Sequence, residues 1–480
     1  MTTTTDPDFG AREALRLLGA DPENWVPERP GIDHNVTIVG GSGSGSTFAF
    51  ALRRAGIGRV TIIDAAQNEN NAGVWLTRAR MNKLRTPKNL AGHELGIPEL
   101  SFQAWYEARH GAEAYAAIDR IPRLLWAEYL SWYRKFLGIQ VRYQTKLVRI
   151  EPAEGFFRLH LEVNGVPQVE TTRKIIFANG VAGTGGANVP SILTDLPRNL
   201  YAHTSEGIDF AALQGKTVAV LGAAASAFDA AGVALESGAR TVHLFARRPA
   251  IASLPVIRGR GYPGAYYNYP ELPDAARWFQ AWRFNKLGST PPPDAIERVI
   301  AFRNFHLHLS APWKTAHERD GRIVAEVNDD VFEFDFVIAG TGYFVDPTRR
   351  PELADFAHNI ALWRDRYEPP ADQRDDKLAS HPYLGGAHEF QEKVPGSAPY
   401  LKDIHVFNPA GFVSFGLPIG DVPSIRRDVP AIVSRINHDL FFGDWAHHEA
   451  RITSDNIATD FEESLYAAAV WKQPAEAALA

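Results

Sequence analysis

The amino-acid sequence predicts an α/β fold that contains two βαβ units of parallel sheet. Three short apolar runs are each followed by glycine, at residues 36–39, 217–221 and 336–339. Apolar runs of this length that end in glycine are typical of buried parallel strands. The first two runs continue into a helical pattern and then a further strand, so they predict a tandem pair of related folds. The third run lacks this continuation.

Composition and charge limit the functions open to the chain. Its 480 residues suggest two or three domains, at roughly 100–200 residues per domain. The net charge of −6 is spread without long runs of one sign, so no nucleic-acid or membrane partner is expected. Cysteine is absent, which excludes cysteine-ligated zinc, iron–sulfur clusters, thiolate nucleophiles and redox-active disulfides.

The sequence also lacks the usual signals for export or membrane insertion. Residues 1–8 are polar, include two aspartates and show no basic region before an apolar core, so no secretory signal is predicted. No apolar run approaches the roughly 18 residues of a membrane span. We therefore expect a cytoplasmic protein.

The first glycine-rich loop, at residues 40–47, has the features of a dinucleotide-binding site. Glycine allows the tight turn, the close approach of a pyrophosphate and the packing of helix on strand, and the phosphates then lie at the positive end of the helix. Asp64 ends the next strand about 20 residues later, where a carboxylate can accept hydrogen bonds from ribose hydroxyls. The alternative is a flexible linker, but the ordered strand, loop, helix, strand and acidic residue favour the binding site.

The three fingerprint positions of this loop are predicted to be Gly40, Ser42 and Gly45. Serine then replaces the middle glycine of the usual pattern. A shifted frame is also compatible with the sequence, and its positions are Gly41, Gly43 and Ser46. The first frame is preferred because Gly40 directly follows the strand.

The second loop predicts another nucleotide site, in which positively charged residues stand where the first site has the carboxylate of Asp64. Its key positions are Gly222, Ala224 and Ser226, before an apolar helix and a strand that ends near Arg247 and Arg248. An arginine fork can bind a ribose 2′-phosphate, which a carboxylate would repel. The arginines therefore predict NADPH rather than NADH, unless they only solvate the end of the strand.

These motifs together resemble those of the class B flavoprotein monooxygenases, which include flavin-containing, N-hydroxylating and Baeyer–Villiger enzymes. The resemblance extends over about residues 36–345 and rests on four segments: the first loop, the turn Ala72-Gly73-Val74-Trp75, residues 222–229, and residues 335–343 with Gly340-Thr341-Gly342-Tyr343. Each segment departs from the family pattern at one or more positions. The Baeyer–Villiger fingerprint keeps only its histidine, at His203, which puts a classical ester-forming enzyme in doubt.

The resemblance implies two Rossmann-like domains, an FAD-binding domain with an NADPH-binding domain inserted. The predicted boundaries are an extension at 1–34, FAD-domain parts at 35–204 and 335–480, and the NADPH domain at 205–334. An aromatic-rich insertion at about 250–325 is predicted to cover the site or simply to pack. Residues 406–407 and 411–416 are predicted to be strands of the FAD domain.

The implied reaction is an NADPH- and O₂-dependent monooxygenation through a flavin C4a-(hydro)peroxide. One oxygen atom would enter a nitrogen, a sulfur or a carbonyl carbon of a small organic substrate, and the other would leave as water. A reductase of a quinone or an electron carrier is the second hypothesis, and a nucleotide-sensing protein is the third. No motif identifies the substrate or the oligomeric state.

Further site residues follow from the same resemblance. Segment 84–88 resembles the one that lies along the flavin, and a helix after residue 421 could face the flavin pyrimidine. His203 and Arg85 are the candidate catalytic residues, although His203 could instead orient backbone. The predicted additional cofactor contacts are Trp75, Arg85, Thr86, Thr341, Gly342 and Asp421. The alternating His306 and His308 have no carboxylate or cysteine partner, so an ordinary strand is expected and no metal site is predicted.

Overall fold

Two sheets with parallel strands lie at the centre of the protein. The computed structural model describes residues 6–90, 92–416 and 419–472. The strands are β1 (His34–Val39), β2 (Val60–Ile63), β3 (Thr145–Ala153), β4 (Phe156–Val163), β5 (Val166–Phe177), β6 (Gly185–Ala187), β7 (Tyr201–His203), β8 (Thr217–Leu221), β9 (Thr241–Phe245), β10 (Phe305–His308), β11 (Trp313–Arg319), β12 (Arg322–Val327), β13 (Asp330–Phe334), β14 (Phe336–Ala339), β15 (Tyr343–Val345) and β16 (Ile404–Val406).

The helices connect and cover these strands. They are α1 (Pro7–Leu18), α2 (Gly43–Arg54), α3 (Phe102–His110), α4 (Ala112–Ala117), α5 (Arg123–Phe136), α6 (Ser191–Thr194), α7 (Ala225–Glu236), α8 (Pro263–Asn268), α9 (Asp274–Leu287), α10 (Pro293–Ile300), α11 (Trp363–Arg366), α12 (Asp376–Ala379), α13 (Phe412–Phe415), α14 (Val422–Gly443) and α15 (Trp445–Ile452). Among the described residues, no helix is both long and apolar enough to span a membrane.

The first sheet has the strand order β2-β1-β5-β4-β3, and β16 pairs with β5. Strands β1, β2, β5 and β16 are parallel, whereas β3 and β4 form an antiparallel extension. Apolar residues of α2 and α14 share one core with this sheet, among them Phe48, Leu52, Val429 and Ile432. A separate aromatic core joins α3 and α5 to the outer side of α2, through Phe50, Trp105 and Tyr129 among others.

The second sheet has the order β10-β9-β8-β14-β7, and all its strands are parallel. Helices α7 and α10 contribute to the core on one face, and the antiparallel sheet β11-β12-β13 contributes to the core on the other. The sequence between β5 and β16 therefore forms a second βαβ fold, and the predicted α/β architecture with two Rossmann-like units is confirmed. By hydrogen bonding, β7 and β14 belong to this second sheet, although the predicted boundaries assign both to the first domain.

One predicted strand, at residues 411–416, is wrong. The segment instead forms a short 3₁₀ turn followed by α13, which ends at Gly416 in the left-handed conformation (φ 74°). Asn408 starts this turn because its side chain accepts a hydrogen bond from the backbone N–H of Ala410. A short, mostly apolar run bounded by glycines is therefore compatible with a short helix whose glycine provides the C-terminal cap.

The N-terminal extension and the end of α14 are joined to the first sheet by a buried ionic cluster. Asp444 accepts hydrogen bonds from Arg173 (2.7 Å) and from Arg29 Nε (2.8 Å). The side chains of Arg173 and Asp444 are each only 5% exposed. Because both charges are desolvated, each depends on its partner for stability.

We expect Asp444→Asn to destabilise the protein strongly, since it leaves Arg173 buried without a countercharge. Breaking a buried pair costs about 3–5 kcal/mol, so the midpoint of urea unfolding, followed by circular dichroism, should fall. The control is Asp355→Asn, which removes a partner of Arg149 from a pair in which both side chains are at least one-third exposed. Such pairs contribute about 0–1 kcal/mol. Equal midpoints for the two variants would contradict the importance of the cluster.

Candidate cofactor and active site

The loop after β1 brings α2 unusually close to the strand. Gly40 has φ 119°, and a Cβ there would lie 2.4 Å from the carbonyl oxygen of Ala178. A Cβ on Gly45 would lie 2.0 Å from the carbonyl oxygen of Gly40. Both clashes involve backbone atoms, which cannot rotate away. These contacts favour the frame Gly40, Ser42 and Gly45 over the shifted one.

The start of α2 is suited to binding an anion. Ser42 is the N-cap residue, but its side chain makes no capping hydrogen bond. First-turn N–H groups without a side-chain cap provide donors for a phosphate at the positive end of the helix. A Cβ on Gly73 would lie 2.6 Å from Ser42 Oγ, so the predicted Gly-x-Trp turn lies directly beside this loop.

Asp64 lies at the end of β2 and fixes the loop. Its Oδ2 accepts a hydrogen bond from the N–H of Gly41 (2.7 Å), and its Oδ1 accepts one from Ala66 (2.8 Å). Each carboxylate oxygen has a second lone pair, so a ribose hydroxyl could bind without displacing either contact. The uncapped helix, the close glycines and this carboxylate together fit an FAD adenylate and pyrophosphate.

The second loop repeats the arrangement. Gly222 has φ 121°, and a Cβ there would lie 2.3 Å from the carbonyl oxygen of Gly340. Ala224 is the N-cap of α7 and provides no side-chain cap, while Ser226 is exposed in the first turn. A Cβ on Gly340 would lie 2.7 Å from that of Ala227, so the end of β14 packs directly on α7. This start of α7 fits a second pyrophosphate.

The two arginines after β9 differ in their surroundings. Arg248 donates hydrogen bonds to the carbonyl oxygens of Lys286 (2.7 Å) and Asn285 (2.8 Å), at the C-terminal end of α9. It therefore satisfies carbonyl groups that a helix end leaves unpaired. Arg247 is exposed and, within the described part of the chain, makes no hydrogen bond or ion pair. Arg247 is thus better placed than Arg248 to meet a 2′-phosphate.

The segment that contains Thr341 and Gly342 holds the two folds together. Thr341 Oγ1 donates a hydrogen bond to the carbonyl oxygen of Asn188 (2.5 Å). The backbone N–H of Asn188 donates one to the carbonyl oxygen of Gly342 (2.9 Å). Strand β15 follows immediately and pairs antiparallel with β6. The structure therefore gives these two residues a connecting role beside the start of the second loop.

His203 lies in β7 and is fully buried. Its Nδ1 accepts a hydrogen bond from the backbone N–H of Ser205 (3.1 Å), and its ring packs edge-on against Tyr343. Burial lowers the pKa of His203, so the imidazole is neutral at physiological pH. These contacts support the backbone-orienting interpretation over a catalytic one.

Trp75 and Thr86 lie on the same side of the first fold. Trp75 is half-buried and packs edge-on against Trp126 at 6.3 Å between ring centroids. Thr86 lines a cavity of about 270 Å³ beneath segment 84–90. The cavity is lined by both apolar and polar residues. The lining includes Leu84, Thr86, Lys88, His93, Glu94, Phe102, Trp126, Tyr129, Val422 and Arg426.

Arg85 points away from this cavity, toward the second fold. Its Nη2 lies 3.8 Å from Oδ2 of Asp229 on α7. Burial raises the pKa of Asp229 to about 6, and the charge of Arg85 is the strongest effect that opposes this rise. Asp421 is the N-cap residue of α14 and is itself exposed. Of these two predicted contacts, Arg85 is thus placed beside Asp229 of the second fold, and Asp421 at the start of α14.

The aromatic insertion reaches the start of α14. Arg260 donates to the carbonyl oxygen of Gly416 (2.7 Å), and Arg427 donates to that of Tyr266 (2.8 Å). The hydroxyl of Tyr266 in turn donates to the carbonyl oxygen of Pro423. A part of the second fold thus packs over the end of the helix that was predicted to face the flavin.

Sequence reasoning missed His93, which supports the first loop from beneath. Its Nδ1 is hydrogen-bonded to Thr47 Oγ1 at 2.6 Å, and a Cβ on Gly43 would lie 2.8 Å from the imidazole ring. Burial lowers the pKa of His93 to about 3, so the ring is neutral. An isolated histidine 46 residues beyond Thr47 offers no local signal of this contact.

The histidines of β10 are joined by a third that the sequence pattern did not connect with them. His243 Nδ1 lies 2.9 Å from His308 Nε2, and the rings of His243 and His306 are 4.6 Å apart. Within residues 6–90, 92–416 and 419–472, no group of three or more His, Cys, Asp or Glu residues has the arrangement of a metal site.

Two glycine-dependent loops, each at the N-terminus of an uncapped helix after a parallel strand, define a two-nucleotide oxidoreductase fold. Residues 34–257 match the family described as pyridine nucleotide-disulphide oxidoreductase. That description mentions disulphide chemistry, for which this chain has no cysteine.

The chain is 39% identical over 436 residues to the FAD-dependent urate hydroxylase of Xanthomonas campestris pv. campestris. The match covers 90% of this chain and 91% of that protein. The chain therefore belongs to the class B flavoprotein monooxygenase family, as the sequence motifs predicted. The predictions of an FAD-dependent monooxygenase and of FAD and NADPH as its cofactors are confirmed.

Solved structures share the fold at low sequence identity. The ornithine hydroxylase of Pseudomonas aeruginosa has a TM-score of 0.66 and 18% identity, and the match covers 85% of this chain and 100% of that one. The L-lysine 6-monooxygenase of Pseudomonas syringae has a TM-score of 0.65 and 17% identity, and the match covers 84% of this chain and 99% of that one. The ornithine N-hydroxylase of Kutzneria was solved with reduced FAD, NADP⁺ and L-ornithine. It has a TM-score of 0.64 and 15% identity, and the match covers 84% of this chain and 99% of that one. The site residues, the domain boundaries and the cytoplasmic location stay predictions.

We expect Gly45→Ala to prevent FAD from being retained. The added Cβ would lie 2.0 Å from the carbonyl oxygen of Gly40, so α2 must move away from the strand. The ratio of flavin absorbance to protein absorbance after gel filtration measures the loss. Gly207→Ala is the control, because a Cβ there meets nothing within 4 Å. Full FAD content in Gly45→Ala would contradict the assignment of the loop.

Proposed function

We propose that this enzyme hydroxylates urate in a reaction that consumes NADPH and O₂. One oxygen atom of O₂ enters the product and the other leaves as water. NADPH supplies a hydride and solvent supplies a proton, so the products are hydroxylated urate, NADP⁺ and water. The observation that carries this proposal is the 39% identity to a urate hydroxylase along nine-tenths of both chains.

The amine substrates named for the solved structures have less support. Those proteins are only 15–18% identical to this chain, which is evidence for the fold alone. Oxygenation of a nitrogen, a sulfur or a ketone, as predicted from the sequence, stays a prediction alongside the proposed hydroxylation of urate. The absence of a recognisable catalytic triad agrees with a reaction whose difficult chemistry belongs to the cofactors.

The first fold would hold FAD along a defined path. The start of α2 would bind the pyrophosphate, and Asp64 would bind the adenosine ribose. Trp75, Arg85 and Thr86 would then border the flavin, with the positive end of α14 stabilising negative charge on its pyrimidine side. Bound FAD and NADPH would supply hydride transfer and oxygen activation.

The second fold would present NADPH to that flavin. The start of α7, with Gly222, Ala224 and Ser226, would bind the pyrophosphate, and Arg247 would bind the 2′-phosphate. The insertion packed over α14 would exclude water from the reacting atoms, which limits unproductive loss of reducing equivalents as H₂O₂. The two uncapped helices and the contacts of Tyr266, Arg260 and Arg427 support these assignments.

The purified FAD-loaded enzyme should consume urate and NADPH in equal amounts when O₂ is present. Urate loss is followed by its ultraviolet absorbance and O₂ uptake by an electrode, with an anaerobic sample as the control. NADPH oxidation that ornithine or lysine stimulates, but urate does not, would contradict urate and favour an amine. NADPH oxidation with H₂O₂ formation and no consumption of any substrate would contradict a hydroxylase.

Replacing Arg247 by alanine should remove most of the preference for NADPH. Charge-assisted hydrogen bonds contribute about 1.5–3 kcal/mol, so the KM for NADPH should rise roughly tenfold or more. The KM for NADH should barely change, because NADH has no 2′-phosphate. Steady-state kinetics with both coenzymes measure the difference.

The comparison variant is Arg248→Ala, which removes the contact to α9. It should lower the thermal stability and leave the ratio of the two KM values unchanged, and the double variant should match Arg247→Ala in that ratio. If Arg248→Ala alone abolished the preference, the assignment of the phosphate to Arg247 would be wrong.

A further inference from the structure

Three of the arginines at the contact between the two folds are already held by backbone. Arg78, Arg80 and Arg298 each donate to a carbonyl oxygen, at distances of 3.4, 2.6 and 2.8 Å. Arg80 donates a second hydrogen bond to a neighbouring carbonyl oxygen, and Arg298 also pairs with Glu236. These guanidinium groups fix the folds against each other and have little capacity for a ligand.

Arg85 differs from these three arginines. Its only charged contact among the described residues is the 3.8 Å approach to Asp229, and the described residues offer it no hydrogen bond. Its side chain is 43% exposed, whereas that of Asp229 is 6% exposed. A guanidinium has five N–H donors. Arg85 therefore combines a set of free donors with a location between the two folds.

The position of Arg85 coincides with the meeting point of three elements. Its neighbours Leu84 and Thr86 line the cavity of the first fold, while Arg85 itself faces α7 of the second fold. Val422, the first residue of α14, lines the same cavity as Leu84 and Thr86. Under the assignments above, the flavin and the nicotinamide would converge here.

We propose that Arg85 is a substrate-binding residue whose guanidinium recognises the anionic edge of a planar heterocycle such as urate. This inference rests on the proposed function for the identity of the substrate. The planar fork of arginine matches planar anionic groups through two parallel hydrogen bonds. At 3.8 Å the approach to Asp229 is an ion pair without a hydrogen bond, so an incoming anion can bind the N–H donors of Arg85 while Asp229 keeps the positive charge beside it.

The test compares ligand binding by FAD-loaded wild-type, Arg85→Gln and Arg85→Lys enzymes. Equilibrium dialysis gives the Kd for urate and for hypoxanthine, a purine that is uncharged at neutral pH. Arg85→Gln should raise the Kd for urate roughly tenfold or more, because a charge-assisted bidentate contact is lost. It should leave the Kd for hypoxanthine unchanged, with both constants measured at equal FAD occupancy. Arg85→Lys should recover part of the urate affinity, since it keeps the charge but not the fork.

Arg109→Gln is a matched control. The Arg109 side chain is 44% exposed and lies 3.7 Å from Glu128, so its exposure and the length of its ion pair match those of Arg85, but it lies on α3 and its partner is exposed. This variant should bind urate as the wild type does. If Arg85→Gln keeps its affinity for urate, or weakens urate and hypoxanthine equally, the inference is wrong.

Binding and turnover separate this inference from the proposed function. Wild-type enzyme that binds urate without consuming it would contradict the proposed function, while the comparison of Kd values would still decide the role of Arg85. Wild-type enzyme that does not bind urate at all would contradict both.

Discussion

Both nucleotide sites depend on one constraint, the approach of a helix to the end of a strand at a distance that excludes any side chain. In the first fold a Cβ on Gly45 of α2 would lie 2.0 Å from the carbonyl oxygen of Gly40, and in the second a Cβ on Gly340, after β14, would lie 2.7 Å from the Cβ of Ala227 on α7. This approach directs the uncapped first turns of α2 and α7 into the loops. The phosphate sites exist because the backbone packs this closely.

The two folds are held together by polar contacts and by a small apolar cluster, in which Trp278 and Ala281 of α9 pack with Trp363, Leu378 and Val413. The apolar cores of the two sheets contain different residues. Between the folds lie the β6–β15 pair, the hydrogen bonds of Asn188 to the 341–342 segment, and the arginines that reach carbonyl oxygens of residues 204–206. Hydrogen bonds are directional, so contacts of this kind fix orientation. That orientation places Arg85 opposite Asp229, where the substrate is proposed to bind.

The nucleotide loops could be predicted because their residues follow one another along the chain. The roles of other site residues could not, because they depend on contacts between residues that are distant in sequence. Gly40, Gly45 and Asp64 follow one another along the chain in the order strand, loop, helix and strand, so their roles could be inferred from spacing. The role of Arg248 depends on the end of α9, almost 40 residues away in sequence. His93 meets Thr47 only after the chain folds back. Segment 411–416 is a short apolar run between glycines, which is compatible with a strand and with a short capped helix.

The two departures from the glycine fingerprint are explained by backbone geometry. Gly40 and Gly222 have φ values of 119° and 121°, a region that L-residues with a Cβ rarely adopt. Ser42 and Ala224 instead have φ values of −83° and −91° with extended ψ, which any residue adopts. The middle position therefore tolerates a small side chain, provided that it does not cap the helix and occupy the anion's donors, and neither residue does. The hypothesis of a nucleotide sensor drew its support from these two substitutions. Since both loops keep the geometry that binding requires, the substitutions are compatible with an active monooxygenase.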